Sequence, residues 1–228
     1  MNIEERIVQH LIDTTSLLRD IGADDFIVIG GVALRCHMNT RQLEPLINTS
    51  DADVMCGYNS FSILRTKHEV SNNMRLNKHE YKVSYIDDGK DTDFDVDLYV
   101  DQLHSLNINF SSLDETKTTN QDGTINTASI ANLLRLKIDN YMNFTGNKEC
   151  QKHNKIIHDI IQLVGLLHVT SVDRQQIFNA IDDARFEALK TLILEHGPIV
   201  ESVNHRLGIS CINECIERCS NIIGSQEG

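Results

Sequence analysis

Ile29-Gly30-Gly31-Val32-Ala33-Leu34, followed by Thr49-Ser50-Asp51-Ala52-Asp53-Val54, decides how this chain is read. A glycine pair closes the apolar run Phe26-Ile27-Val28-Ile29, and the helix-like stretch 32–38 follows it. A second strand, 51–56, then carries two carboxylates one residue apart. Alternate residues of a strand face the same way, so Asp51 and Asp53 point into one space. Two carboxylates aimed at one point repel unless something positive sits between them, and a divalent metal serves that purpose.

Further along the chain, Phe94-Asp95-Val96-Asp97-Leu98-Tyr99-Val100 reads as a strand by alternation and β-propensity. It brings Asp95 and Asp97 to one face. The preceding Asp87-Asp88-Gly89-Lys90 carries a hairpin signal, with a partner strand expected over 81–86. Upstream, Ile3, Ile7, Leu11, Leu17, Leu18 and Ile21 fall at helical spacing over 3–21, and Gly22 is placed to end that helix. A short helix is expected over 61–68.

The stretch 111–127 is dense in Ser, Thr, Asn and Asp and reads as a loop, which sets a domain boundary between residues 125 and 126. Beyond it the pattern is helical. Ser129 can cap a helix running to Tyr141, and 155–167 is a strongly apolar helix. Helices over 173–188, 189–196 and 199–223 complete that half. The expected fold class is therefore α+β: a mixed-sheet core flanked by helices (1–125), then a helical domain (126–228).

Composition narrows the class. The 228 residues are 40% hydrophobic and 24% charged, ordinary values for a folded protein. No apolar run approaches the roughly 18 residues that span a bilayer. The N-terminus Met1-Asn2-Ile3-Glu4-Glu5-Arg6 lacks the pattern of a signal peptide, so a cytoplasmic protein without membrane contact is expected. Cys211, Cys215 and Cys219 fall at i, i+4 and i+8, a helix stripe better suited to small packed side chains than to a thiolate zinc site. The formal charge of −12 is uneven: residues 1–125 hold 21 acids and 11 bases, residues 126–228 hold 12 and 10. Such a surface argues against non-specific binding to nucleic acid, which depends on Lys and Arg neutralising phosphates.

If the strands bearing Asp51/Asp53 and Asp95/Asp97 are neighbours, four carboxylates line one cleft. Two divalent ions held about 3.5–4 Å apart serve phosphoryl and nucleotidyl transfer, and a third acid can take the proton of the attacking hydroxyl. Gly30-Gly31 at a helix start lets backbone amides approach a triphosphate. Taken singly, a Gly-Gly is most often a tight turn, and a D-x-D pair is most often solvated surface. Seven Asp stand between residues 87 and 101, so some are surface charge. Order and spacing together carry the inference.

That order resembles the nucleotidyltransferase superfamily that includes DNA polymerase beta. The resemblance implies that Gly30 and Gly31 contact the triphosphate and that Asp51 and Asp53 bind metal. Asp97 or Asp95 is then the third acid, with Asp97 preferred for leading an apolar strand. Ala128-Ser129-Ile130-Ala131-Asn132-Leu133-Leu134-Arg135-Leu136-Lys137 is similar to the helix after the catalytic domain in AbiEii-type abortive-infection toxins. That family carries a lysine there, here Lys137. Lys155-Ile156-Ile157-His158-Asp159 partly matches its "lysine–aspartate, two residues, aspartate" motif, with Ile156 in place of the first aspartate. Arg41 corresponds to an arginine upstream of the paired acids, though with a longer spacing that includes Pro45. The resemblance covers about residues 20–170.

The resemblance implies magnesium or manganese as cofactor and a nucleoside triphosphate as substrate. It implies an RNA (often tRNA) or protein hydroxyl as acceptor, and a cognate antitoxin as partner. Lys155 would stabilise charge on the triphosphate. Lys137 would reach a cleft from a buried stem, and Asp159 would hold Lys155 as an i,i+4 pair. Two alternatives stand beside this. The acceptor can be a small molecule such as an aminoglycoside or lincosamide, since an acidic cleft suits a polycation. A catalytically silent nucleotide-binding module is the third reading.

Overall fold

The computed structural model describes residues 2–39, 49–73, 78–101, 103, 106, 113, 115–120, 123–147, 150–169, 177 and 180–208. Arg41 and Pro45, and the stripe Cys211, Cys215 and Cys219, lie outside the described residues. The chain divides into two compact units, parting after Ala128.

The first unit opens with helix α1 (Ile3–Asp20), started by a reciprocal capping box between Asn2 and Glu5. Strand β1 (Phe26–Ile29) runs directly into helix α2 (Gly30–Asn39). Strand β2 (Ala52–Cys56) and helix α3 (Tyr58–Lys67) follow. Strands β3 (Ser71–Asn73), β4 (Lys78–Asp87), β5 (Lys90–Val100), β6 (Glu115–Asn120) and β7 (Gly123–Ala128) complete the unit. All seven strands form one sheet in the order β3-β4-β5-β2-β1-β7-β6. It is mixed: β2 runs parallel to β5 and β1 parallel to β7, while the other neighbours are antiparallel.

The register separates the sheet into two faces. Val28, Val54, Val96, Leu98 and Tyr81 share one face. It is the core face: His10 of α1 meets Tyr81 and Phe94, Phe61 of α3 meets His79, and His37 of α2 meets Thr127. Val28, Val54, Val96 and Leu98 are wholly buried, each contributing on the order of 1.5–3 kcal/mol of burial. The opposite face carries Ile29, Asp53, Asp95, Asp97 and Tyr99. The first-unit helices named here thus cover one side and leave the carboxylates on the other.

The second unit is helical among its described residues. Ser129 caps α4 (Ile130–Met142), its hydroxyl accepting from Asn132 N at 3.3 Å. Helix α5 (Gln151–Val169) packs on α4 through a run that includes the buried Ile157, Ile160, Ile161 and Val164. Helix α6 (Asp183–Glu195) is tied to α4 by Arg185, whose Nε and Nη2 donate to Asp139 at 2.7 and 3.1 Å. Helix α7 (Gly197–Leu207) ends at Gly208 in the left-handed conformation. No helix here is long and apolar enough to cross a membrane, among the described residues.

Several sequence expectations need correction. The polar stretch 111–127 is no loop throughout, since β6 and β7 form a hairpin in it. The two compact units part at Ala128, the end of this hairpin, three residues beyond the expected boundary. No break separates 188 from 189, because α6 runs unbroken through Leu189 to Glu195. The helix expected over 199–223 stops at Leu207, where Gly208 takes a positive φ. Helix α3 also begins earlier than expected, at Tyr58, because a remote carboxylate caps it. Asp25 accepts from Asn59 N at 3.2 Å and Ser60 N at 3.0 Å.

Candidate active site

Asp53 on β2 stands directly opposite Asp97 on β5, because the two parallel strands pair with Ala52 against Val96 and Asp53 against Asp97. The two carboxylates therefore share a face and a level. Asp51 sits one residue before β2 begins, and its charge is felt at Asp97 and at the Tyr99 hydroxyl. Tyr99, two residues on from Asp97, projects from the same face and donates to Asp53 Oδ1 at 3.4 Å. Burial pushes the Tyr99 hydroxyl up, and Asp53, Asp97 and Asp51 push it further.

The glycine pair meets this group at β1. Ile29 pairs with Asp53, and the next residue, Gly30, takes φ +69° as the chain turns from strand to helix. A Cβ at Gly30 would lie 2.1 Å from Asp53 Oδ2. Both the backbone conformation and the close approach demand glycine. The first turn of α2, Gly31 included, thus starts beside Asp53, with its unpaired amides at the end that favours anions.

Asp97 and Asp95 differ sharply. Asp97 is 6% exposed. Burial pushes its carboxyl up, Lys78 pulls it down, and the Asp51 and Glu80 charges add to the upward push. The Lys78 ammonium from β4 sits on Asp97 Oδ2, with side-chain exposures of 13% and 9%. Asp95 is 53% exposed at its side chain and only 4.0 Å from the Lys82 ammonium, itself 66% exposed. Such an exposed pair contributes little. Of the two acids, the one opposite Asp53 is Asp97.

Asp51 accepts a hydrogen bond from the Thr49 hydroxyl and Asp53 one from the Tyr99 hydroxyl, while Asp97 is ion-paired with the Lys78 ammonium. Among the described residues, no three His, Cys, Asp or Glu side chains already stand at the spacing of a metal cluster. The donor chemistry nevertheless fits a hard divalent ion: carboxylate oxygens on one sheet face, with a cation already accommodated at Asp97.

The second unit holds the lysines. The Lys137 ammonium on α4 lies 2.6 Å from Asp159 Oδ2 on α5. Asp159 is 1% exposed, so the pair is a buried tie between two helices. Asp159 thus takes Lys137, from the neighbouring helix, as an ion-pair partner. Lys155 stands one turn before Asp159 on α5, half-buried. The sequence reading missed Lys78, Tyr99, Thr49 and Glu4. A signal existed for Lys78: the Asp88-Gly89 turn fixes the β4–β5 register and puts Glu80 opposite Asp97, with Lys78 diagonal to it.

No protein-family description matches the chain, and no curated protein is similar to it in sequence. Among solved structures, an antigenic nucleotidyltransferase-like protein from Paracoccidioides brasiliensis superposes with a TM-score of 0.58. The match covers 92% of this chain and 94% of that one, at 16% identity. This chain has a nucleotidyltransferase-like fold. The JHP933 protein of Helicobacter pylori also aligns, over 99% of this chain and 97% of its own, at 10% identity and a TM-score of 0.42.

Proposed function

We propose that this chain is a metal-dependent nucleotidyltransferase that moves a nucleoside monophosphate from a nucleoside triphosphate to a hydroxyl, releasing pyrophosphate. The observation that carries the reading is the register of β2 against β5, which sets Asp53 opposite Asp97 beside the Gly30 turn. Asp51 and Asp53 would hold magnesium or manganese, with Asp97 at their side. The ion, when bound, would neutralise phosphate charge and acidify the acceptor hydroxyl. Gly30 and Gly31 leave the start of α2 open to phosphate oxygens, which backbone amides there can bind. Asp97 suits the base that receives the hydroxyl proton, because burial raises its affinity for protons. Lys137, Lys155 and Asp159 enter this reading only through the resemblance to abortive-infection toxins, and Arg41 likewise.

An RNA or protein acceptor, with a cognate antitoxin, follows from the same resemblance. One observation favours the small-molecule alternative. Asp91, Asp93 and Asp95 alternate along β5 on the face of Asp97 and are exposed. That acidic row attracts a polycation such as an aminoglycoside and repels a nucleic-acid backbone.

The test is transfer from labelled triphosphates to total RNA, protein and aminoglycosides, with magnesium or manganese. Asp51→Asn with Asp53→Asn should abolish labelling while leaving the thermal melt intact. Full activity in that double variant would overturn the metal-site reading. Label on an aminoglycoside alone would select the small-molecule acceptor. A chain that binds triphosphate and labels nothing is the silent module.

A further inference from the structure

Asp51 is the carboxylate that the sheet does not hold. Strand β2 begins at Ala52, so no ladder pairing fixes the residue before it. Its orientation is set from outside the sheet. The Thr49 hydroxyl donates to Asp51 Oδ1 at 2.9 Å and lies 3.2 Å from the Asp51 carbonyl oxygen. A hydroxyl has one proton, and the shorter contact assigns it to the carboxylate.

Thr49 is itself pinned. It is 5% exposed, and its backbone N–H donates to Glu4 Oε1 at 2.8 Å. Glu4 belongs to the first turn of α1 and is 4% exposed, a depth at which an acid needs a partner. The Arg35 guanidinium of α2 supplies it, on the other carboxylate oxygen, Oε2. The chain of contacts runs Arg35, Glu4, Thr49, Asp51. Helix α2 therefore acts on both members of the acidic pair: its first residue packs against Asp53, and its Arg35 steadies Asp51 through two intermediates.

We propose that Thr49 is a positioning residue for Asp51, held in place by the buried Glu4–Arg35 pair. The hydroxyl occupies Oδ1 and leaves the remaining carboxylate oxygen for a divalent cation. This rests on the reading of Asp51 as a metal ligand. Partners of this kind, which orient a ligand without touching the metal, typically change metal affinity 10–100-fold when removed.

The experiment measures Mn2+ affinity of the full chain by electron paramagnetic resonance, without turnover, beside a thermal melt. Thr49→Val keeps the shape and removes the hydroxyl; Thr49→Ser keeps the hydroxyl. The expected result is Mn2+ binding weakened at least about tenfold in Thr49→Val, wild-type binding in Thr49→Ser, and transfer in Thr49→Val restored by excess Mn2+. Glu4→Gln should weaken binding in the same direction, since it releases Arg35. If Thr49→Val does not fold, Thr49→Ala against Thr49→Ser makes the same comparison, both lacking the methyl group. Wild-type Mn2+ affinity in Thr49→Val, with affinity lost in Asp51→Asn, overturns the positioning role and leaves the metal reading standing. Wild-type affinity in Asp51→Asn overturns both.

Discussion

Lys78 reaches from the first residue of β4 to place its ammonium on Asp97, the acid that faces Asp53 across the β2–β5 ladder. Both side chains are largely out of water. Removing one partner of such a pair strands the other, at a cost approaching 3–5 kcal/mol for full burial. Lys78→Met should therefore destabilise the fold by about 2–4 kcal/mol in urea unfolding. Lys78→Met with Asp97→Asn should recover part of that loss, because no bare charge remains. Additive losses in the double variant would show that the two side chains are uncoupled.

Gly30 makes a second prediction. Alanine there meets both a left-handed φ of +69° and the Asp53 carboxylate at 2.1 Å. The backbone term alone costs about 1–2 kcal/mol, so Gly30→Ala should lower stability by at least about 2 kcal/mol once Asp53 is displaced. Adding Asp53→Ala removes the carboxylate from the clash but leaves the residue 53 Cβ at 2.9 Å and the backbone strain, and should restore only part of the melt. Full restoration would mean that neither φ nor the Cβ contact carries a penalty.

His10 predicts a pH dependence. Its Nε2 shares a hydrogen bond with the Tyr81 hydroxyl at 3.0 Å, and its ring lies edge-on to His68 and Phe94. Burial, reinforced by His68 and opposed by Asp13, holds His10 down to about 4, against an ordinary 6.5. The unfolded chain then binds a proton at higher pH than the folded one. Stability from this group is complete above pH 6.5 and is lost as pH falls toward 4, by up to on the order of 3 kcal/mol. His10→Gln should flatten the slope of melting temperature against pH within that window, relative to the native chain. Parallel slopes would remove His10 from the acid response.

Asp25 predicts a local effect. It caps α3 from a neighbouring segment, and its Oδ2 lies 2.1 Å from where a Cβ on Gly57 would stand. Asp25→Ala should cost about 1–2 kcal/mol, the range for a lost N-cap. Amide exchange should rise first at Asn59 and Ser60. Unchanged exchange there would assign the cap to another group.

Much of the site was legible because it rests on short-range signals. The β1–Gly30–α2 turn is written in an apolar run and a glycine pair, and β2 and β5 in alternation. Asp51, Asp53 and Asp97 come from those segments. The β6–β7 hairpin was not legible, because its stretch 115–128 holds five threonines and few apolar residues. Threonine favours strands and polar loops alike. Only Ile125 and the Asp122-Gly123 step marked it. Glu4 escaped for a different reason: its meaning depends on Arg35 of α2 and on Thr49, far along the chain, which local patterns do not encode. Lys78 emerges only when the β4–β5 register is counted back from the Asp88-Gly89 turn. The positions of Lys137 and Asp159 were singled out, but their mutual contact across α4 and α5 was not.

The place of β1 in the sheet has a consequence during synthesis. One edge of β1 is covered by β2, about 25 residues downstream, but the other waits for β7, which ends at Ala128. Until then Val28 and Ile29 present an unpaired parallel edge, the kind that recruits other chains. Nascent chains stalled before residue 123 should therefore hold the acidic pair yet remain dependent on chaperones, and become independent only once β7 has cleared the ribosome.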